Sequence, residues 1–368
     1  MKNKYYVQIK KEVLMYYNCH IHIFTDADVP DRFLPLSLVK ILRSTAGYKT
    51  ISGIMKNLIF WTDNDILDRY IKFVTTGRLG SQQKIFEKCK AFYPDDTKFI
   101  VHPMDMAYMG AGKVPRAYKV QLEKLYDLSK TYPQLIPFVH ADPRREGILD
   151  IIKQCVEVWN FKGVKLYPPL GVFPYDERFD PIYEYCQEKN LPLLTHCSPF
   201  NPVHHKGKKK EIKKLLGKSK NPINTKGKSK KELCSYFTFP ENFKYVVEKY
   251  PDLRICFGHF GSQHYWDKFI HHPEEEGNWM RIIRDLCVNH KNFYADISFT
   301  MADIKYFSLL KVMLTNEKLS KKILFGSDYY MVEVESNERR FGLDLRAYLG
   351  EENFNKIAIE NPKAFLCE

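Results

Sequence analysis

The sequence predicts an α/β fold, a (β/α)8 barrel of the TIM type, from three observations. Short β-rich apolar runs alternate with helical stretches, there are eight such runs, and each ends on or near a polar or ligand-like residue. Alternation of strand and helix over this length implies parallel strands with right-handed crossovers, and eight repeats close into a barrel.

The runs lie at 17–24, 98–104, 135–141, 163–167, 191–197, 253–259, 293–298 and 323–328. Helical patterns follow most of them, at 114–129, 147–159, 180–188 and 242–249. Tyr132-Pro133 and Tyr250-Pro251 close two of these helices, because proline cannot continue them. Two intervals are long. A helical insertion is expected at about 31–76 after the first strand, and a lysine-rich insertion at about 200–235 after the fifth. Loops that follow strands form the functional face of such a barrel, so both insertions are expected over or beside its mouth. Residues 1–368 are expected to form one domain carrying these decorations.

Composition narrows the class. A chain of 368 residues with 44% hydrophobic and 14% aromatic content buries a sizeable core. No apolar run reaches the roughly 18 residues of a membrane span, and the first 20 residues mix Lys, Glu, Gln and Asn with apolar ones, which excludes a signal-peptide core. A soluble, cytoplasmic protein is expected. The nine cysteines contain no Cys-x-x-Cys pair, so neither a disulfide framework nor a thiolate zinc knuckle is suggested. They are expected to be reduced, several of them buried as small hydrophobes. No Gly-rich loop ending in Gly-Lys-Ser/Thr suggests a nucleotide site.

The net charge of +13 has one main source. Residues 206–231 hold twelve lysines and one acid, Glu211, which leaves only +2 for the rest of the chain. A block of like charge with Gly, Ser, Asn and Pro is expected to be a mobile, solvated insertion; contact with an anionic partner or substrate is the other reading.

The candidate chemistry starts at Asn18-Cys19-His20-Ile21-His22. Residues two apart on a strand point to one face, so His20 and His22 can aim both imidazoles at one point. Two buried, hydrogen-bonded core histidines would read the same way. Further along, His102, His140 and Asp142, Lys165, His196, His259 and Asp328 each end or nearly end a predicted strand. Gathered at one rim, they are the parts for one or two divalent ions bound by nitrogen and oxygen.

With these residues in view, the chain resembles the amidohydrolase superfamily of metal-dependent hydrolases, in particular its amidohydrolase-2 branch. The likeness runs from His20 to the closing ENPKAFL at 360–366, which looks like that branch's terminal helix motif. It implies a distorted (β/α)8 barrel with metal at the carboxyl ends of the strands. It also implies that His20, His22 and His196 are metal ligands and that Asp328 is both ligand and proton shuttle. His259 matches a histidine that orients or polarises the reacting group in one-metal members and becomes a ligand in two-metal members. Zinc is the expected ion, with manganese as the alternative, in one or two equivalents.

Lys165 is open to two readings. The stretch Lys165-Leu166-Tyr167-Pro168 is similar to the fourth-strand lysine motif of dihydroorotases, where a carbamylated lysine bridges two metals. An ammonium would repel a cation, so Lys165 is a ligand only as the carbamate; unmodified, it would hold a substrate carboxylate. Dihydroorotase activity itself is disfavoured, because the residue after His22 is Ile23 and that family's first-strand substrate arginine is missing from this motif.

A metal set of this kind polarises a carbonyl oxygen and lowers the pKa of water towards about 7. The expected activity is hydrolysis of an amide, lactone or ester in a small carboxylate-bearing or aromatic substrate. Asp328 would move the proton and His259 would steady the oxyanion. Non-oxidative decarboxylation is the alternative within the resemblance.

A reading of another class is a non-catalytic scaffold whose basic insertion binds nucleic acid or an acidic membrane. The block lacks the interleaved aromatics and arginines of base readout, so neither nucleic acid nor membrane is expected as a partner. A homo-oligomer is left open. Phe24, Met104, Tyr108, Tyr167, Phe173, Phe200, Tyr265, Trp266, Tyr329 and Tyr330 suggest an aromatic-lined pocket. Arg144 is expected to pair with a substrate carboxylate or to serve the fold, and Arg145 to make an ordinary packing or surface contact.

Overall fold

Eight parallel strands lie side by side in chain order: β1 Tyr17–Ile21, β2 Lys98–Val101, β3 Leu135–His140, β4 Gly163–Leu166, β5 Leu193–His196, β6 Ile255–Gly258, β7 Phe293–Asp296 and β8 Ile323–Leu324. The computed structural model describes residues 15–33, 39, 43, 75–77, 79–329, 331–332 and 337–368. The insertion expected at about 31–76 lies almost wholly outside these residues, and Tyr330 lies outside them too. The ring is drawn shut where Cys19 N–H donates to Phe325 O at 2.8 Å, Asp328 N–H to His20 O at 2.7 Å and His22 N–H to Tyr329 O at 3.2 Å.

All eight strands fall inside the apolar runs of the sequence, each ending one to four residues early. The residues that overshoot are the rim. Side chains on the inner face, among them Cys19, Ile100, Phe138, Leu194, Cys256, Tyr294 and Leu324, fill the barrel interior. The outer face packs against the crossover helices: α1 Gln82–Lys90, α2 Tyr118–Thr131, α3 Ile148–Lys153 and α4 Asp180–Glu188 before β5. Helix α2 shows the logic. Tyr118, Leu122, Leu125 and Leu128 recur every three or four residues and are buried as one stripe. It begins four residues later than the pattern at 114 suggests, because Val114 precedes Pro115 and is biased towards extended backbone.

The lysine-rich insertion departs from its expectation. It follows β5 as predicted, but it is folded, with α5 Lys209–Leu216 and α6 Lys230–Ser235. Ile212, Leu216, Leu233 and Cys234 are buried in a satellite core with Phe173 and Phe237. The KKEIKKLL run spaces Ile212 and Leu216 one turn apart, so the lysines take the other faces while the apolar pair packs. The insertion is also tied to neighbouring loops: Lys206 N–H donates to Met109 O at 2.6 Å and His205 N–H to Pro169 O at 2.9 Å. The expected solvated segment is therefore a docked cover beside the mouth.

Eight of the nine cysteines are buried and Cys367 is exposed, which fits their expected use as small hydrophobes. Among the described residues, no helix is long and apolar enough to cross a membrane.

Candidate metal centre

A β-bulge creates the site. Asn18 pairs with Phe99 and Ile21 with Val101, so β1 spends one residue more than β2 over the same span. Tyr17 and Cys19 point into the barrel interior. Strict alternation would then turn His20 and His22 outward, but the extra residue resets the parity and both stay with the inner set. Two glycines make room for this: a Cβ on Gly326 would stand 2.9 Å from His20 Cβ, and one on Gly258 3.3 Å from His20 Cε1.

Each ring is fixed by its second nitrogen. His20 Nδ1–H donates to Asp296 Oδ2 at 2.9 Å and His22 Nδ1–H to the His102 carbonyl at 2.7 Å, which puts the lone pair of each ring on Nε2, that of His20 facing Lys165 Nζ. His259 Nδ1–H donates to Ser298 O at 3.1 Å, so its Nε2 accepts from His196 Nδ1–H, also at 3.1 Å. His196 Nε2 is then a buried lone pair with no hydrogen-bond partner among the described residues. Burial disfavours the imidazolium throughout, taking His22 down to about 3 and His259 to about 4, with the Lys165 charge adding to both shifts. Neutral rings with free lone pairs are what a divalent ion requires.

Ligand atoms of His20, His22 and Asp328 lie within 4.8 Å of one another, and so do those of His20, His259 and Asp296. The two sets differ in what is left to bind with. Asp296 already accepts from His20 Nδ1, from the backbone N–H groups of His259 and Ser298 at 3.0 Å each, and from Ser298 Oγ. It is an anchor. Asp328 Oδ1 stands 3.6 Å from His22 Nε2, and its Oδ2 3.9 Å from His259 Nδ1, too far for hydrogen bonds. The donor set that fits a divalent ion is therefore His20, His22 and Asp328. His196 belongs to neither close set and adjoins them through His259.

Both Asp328, at φ 62°, and His259, at φ 66°, hold left-handed backbone that side chains other than glycine seldom adopt. Such strain concentrates at functional sites.

Lys165 is fully buried, with Nζ 3.1 Å from His20 Nε2. Burial drives its pKa down, against the pull of Asp296 and Asp328; burial drives the Asp328 carboxyl up, against Lys165. An ammonium donating to His20 Nε2 uses the lone pair that a metal would use, so Lys165 and an ion compete for one direction at His20.

The walls are unequal. Phe24, Met104, Met106 and Tyr167 join an apolar cluster built by the loops after β1, β2 and β4. The Tyr167 ring lies 4.4 Å from that of His196, and Phe24 5.7 Å from that of His22. Other expected pocket aromatics are elsewhere: Trp266 and Tyr329 are fully buried in the outer core, and Phe173 belongs to the satellite core. Arg144 makes a two-pronged ion pair with Asp142 at 2.8 and 2.6 Å. Arg145 pairs with buried Asp105, 2.9 Å from Nη2 to Oδ1.

Sequence reading passed over Asp296 and Ser298. Both lie in the seventh apolar run, and their signal was available as an acid and a hydroxyl two apart at a strand end, the spacing that singled out His20 and His22.

A family model described as Amidohydrolase matches residues 114–366. No curated protein matches the sequence. Among solved structures, the chain is similar to one described as Amidohydrorolase II, at 15% identity and TM-score 0.56 over 96% of this chain and 100% of that one. It is also similar to an uncharacterized TIM-barrel protein from Bordetella bronchiseptica, at 17% identity and TM-score 0.51 over 81% of this chain and 90% of that one. Identities this low carry the fold alone.

Proposed function

We propose, from the premise that the chain belongs to the amidohydrolase family, that it is a metal-dependent enzyme that hydrolyses an amide, lactone or ester bond in a small carboxylate-bearing or aromatic substrate. One observation carries the reading: His20, His22 and Asp328 converge within 4.8 Å, and each imidazole is turned by a second partner so that a lone pair remains for an ion. We assign His20, His22, His196 and Asp328 to hold one divalent ion, zinc or manganese. When bound, that ion supplies Lewis-acid polarisation of a substrate oxygen and acidification of water.

The chain's own groups supply the rest. Asp328, whose carboxyl is raised by burial, takes the proton of the attacking water and returns it to the leaving group. His259 holds His196 in its ligating tautomer and stands beside Asp328, which steadies the charge that the carboxylate gains and loses. Asp296 locks His20. Phe24, Met104 and Tyr167 exclude water from one side of the mouth.

Protein purified without chelator is offered a panel of carboxylate-bearing aryl amides, lactones and esters. At least one class is hydrolysed, chelation stops the reaction, and Zn²⁺ or Mn²⁺ restores it; Asp328→Asn lowers kcat by about 10²–10⁴-fold. Carbon dioxide release without addition of water would replace hydrolysis by decarboxylation. Turnover that ignores chelator would remove the metal from the account.

A further inference from the structure

We propose that His140 is a substrate-binding residue that donates its Nε2–H to a carboxylate oxygen at the barrel mouth, beside Lys165. The word substrate rests on the hydrolase reading above; the hydrogen-bonding state of the ring does not.

His140 ends β3, and its register partner on β4 is Lys165. Counting back by two, Phe138 and Ile136 belong to the barrel interior, so His140 continues the inner face into the layer of the candidate ligands. Its side chain is fully buried. Nδ1 receives the backbone N–H of Asp105 at 2.8 Å. A backbone N–H can only donate, so Nδ1 must carry a lone pair, and a protonated ring would set two N–H groups against each other. The ring is therefore neutral with its hydrogen on Nε2. That nitrogen is buried and has no hydrogen-bond partner among the described residues.

A buried donor with nothing to donate to is costly, and native proteins keep few of them. Here the surroundings maintain it. Asp105 is locked by Arg145 and by the Ala107 N–H at 3.2 Å, which fixes the N–H that sets the tautomer. Tyr118 Oη takes the His140 N–H and donates to the His140 carbonyl, both at 2.8 Å, which fixes the backbone beneath the ring. Arg145, an unremarkable residue in the sequence, is thus a positioning residue two contacts removed from the ligand.

The missing partner is an acceptor. Asp105 and Asp142, the nearby acids on this side, are already paired with Arg145 and Arg144, and among the described residues none accepts from His140 Nε2. An unmodified Lys165 on the next strand adds positive charge, which selects a carboxylate over a neutral carbonyl. The apolar cluster of Phe24, Met104 and Tyr167 suits a flat apolar body carrying that carboxylate.

Benzoate is the probe, with affinity measured by calorimetry on zinc-loaded and on metal-free protein. His140→Leu should weaken binding by about tenfold or more while metal content stays at the wild-type value, and His140→Gln, which keeps an N–H donor, should recover most of the loss. His140→Phe keeps the ring volume and replaces the leucine variant if that fails to fold. Equal affinity in wild type and the donor-less variant, or a wild type that does not bind benzoate, would overturn the proposal. A wild type without metal would sink the hydrolase reading instead, because the metal-free titration still reports on His140.

Discussion

At the rim, His20, Lys165 and Asp296 are fully buried, whereas in the insertion Lys209, Lys210, Lys213 and Lys214 stand exposed on a helix whose Ile212 and Leu216 are buried. Both regions look polar in the sequence. At the rim, ionisable groups are kept away from water at a cost, and His20, His22, His196, His259 and Asp296 are each held in one orientation by a named partner, an arrangement that chemistry needs and packing does not. In the insertion the charge costs nothing, because it points to solvent, and it conceals the apolar stripe that does the packing. Net charge therefore misleads about structure, and burial of charge is informative about function.

The contrast can be broken most forcefully from the insertion side. Leu233 is fully buried in the satellite core, so Leu233→Ala should cost about 2–5 kcal/mol of stability in urea unfolding. A change below about 1 kcal/mol would restore the solvated reading. A smaller effect is expected at the rim. Asp296→Asn removes the carboxylate that turns His20, and metal affinity measured by chelator competition should fall by about 10–100-fold. Unchanged affinity would mean that His20 needs no orienting partner. The smallest effect belongs to the exposed lysines: Lys210→Gln with Lys213→Gln should shift stability by no more than about 0.5 kcal/mol.

How much was legible follows the same division. All eight strands were readable, because a barrel strand is a short apolar run and nearly every run ends on a ligand-like residue. Their ends were not, since the rim residues that look like strand are already loop. The pairing of His20 with His22 was readable as a period of two, but the bulge that makes it work was not: it is a property of how β1 registers against β2, 77 residues or more away in the chain. Asp296 and Ser298 carried the same period of two, but the partner that gives Asp296 its role, His20, lies 276 residues away in the chain, so the spacing alone did not say what it holds. The two helices of the insertion were masked because the lysines around Ile212, Leu216 and Leu233 give the segment the composition of a solvated loop, although Ile212 and Leu216 stand one helical turn apart.

The buried rim set is built to hold an ion. Elemental analysis of protein purified without chelator tests it directly, alongside a His20→Ala, His22→Ala double variant checked for folding by circular dichroism. About one equivalent of zinc or manganese in the wild type, and none in a folded double variant, is the predicted result. Two equivalents with an extra carboxyl mass on Lys165 would convert the site to a bridged pair and make His259 a ligand. Equal metal in the two proteins, or none in either, would contradict the account.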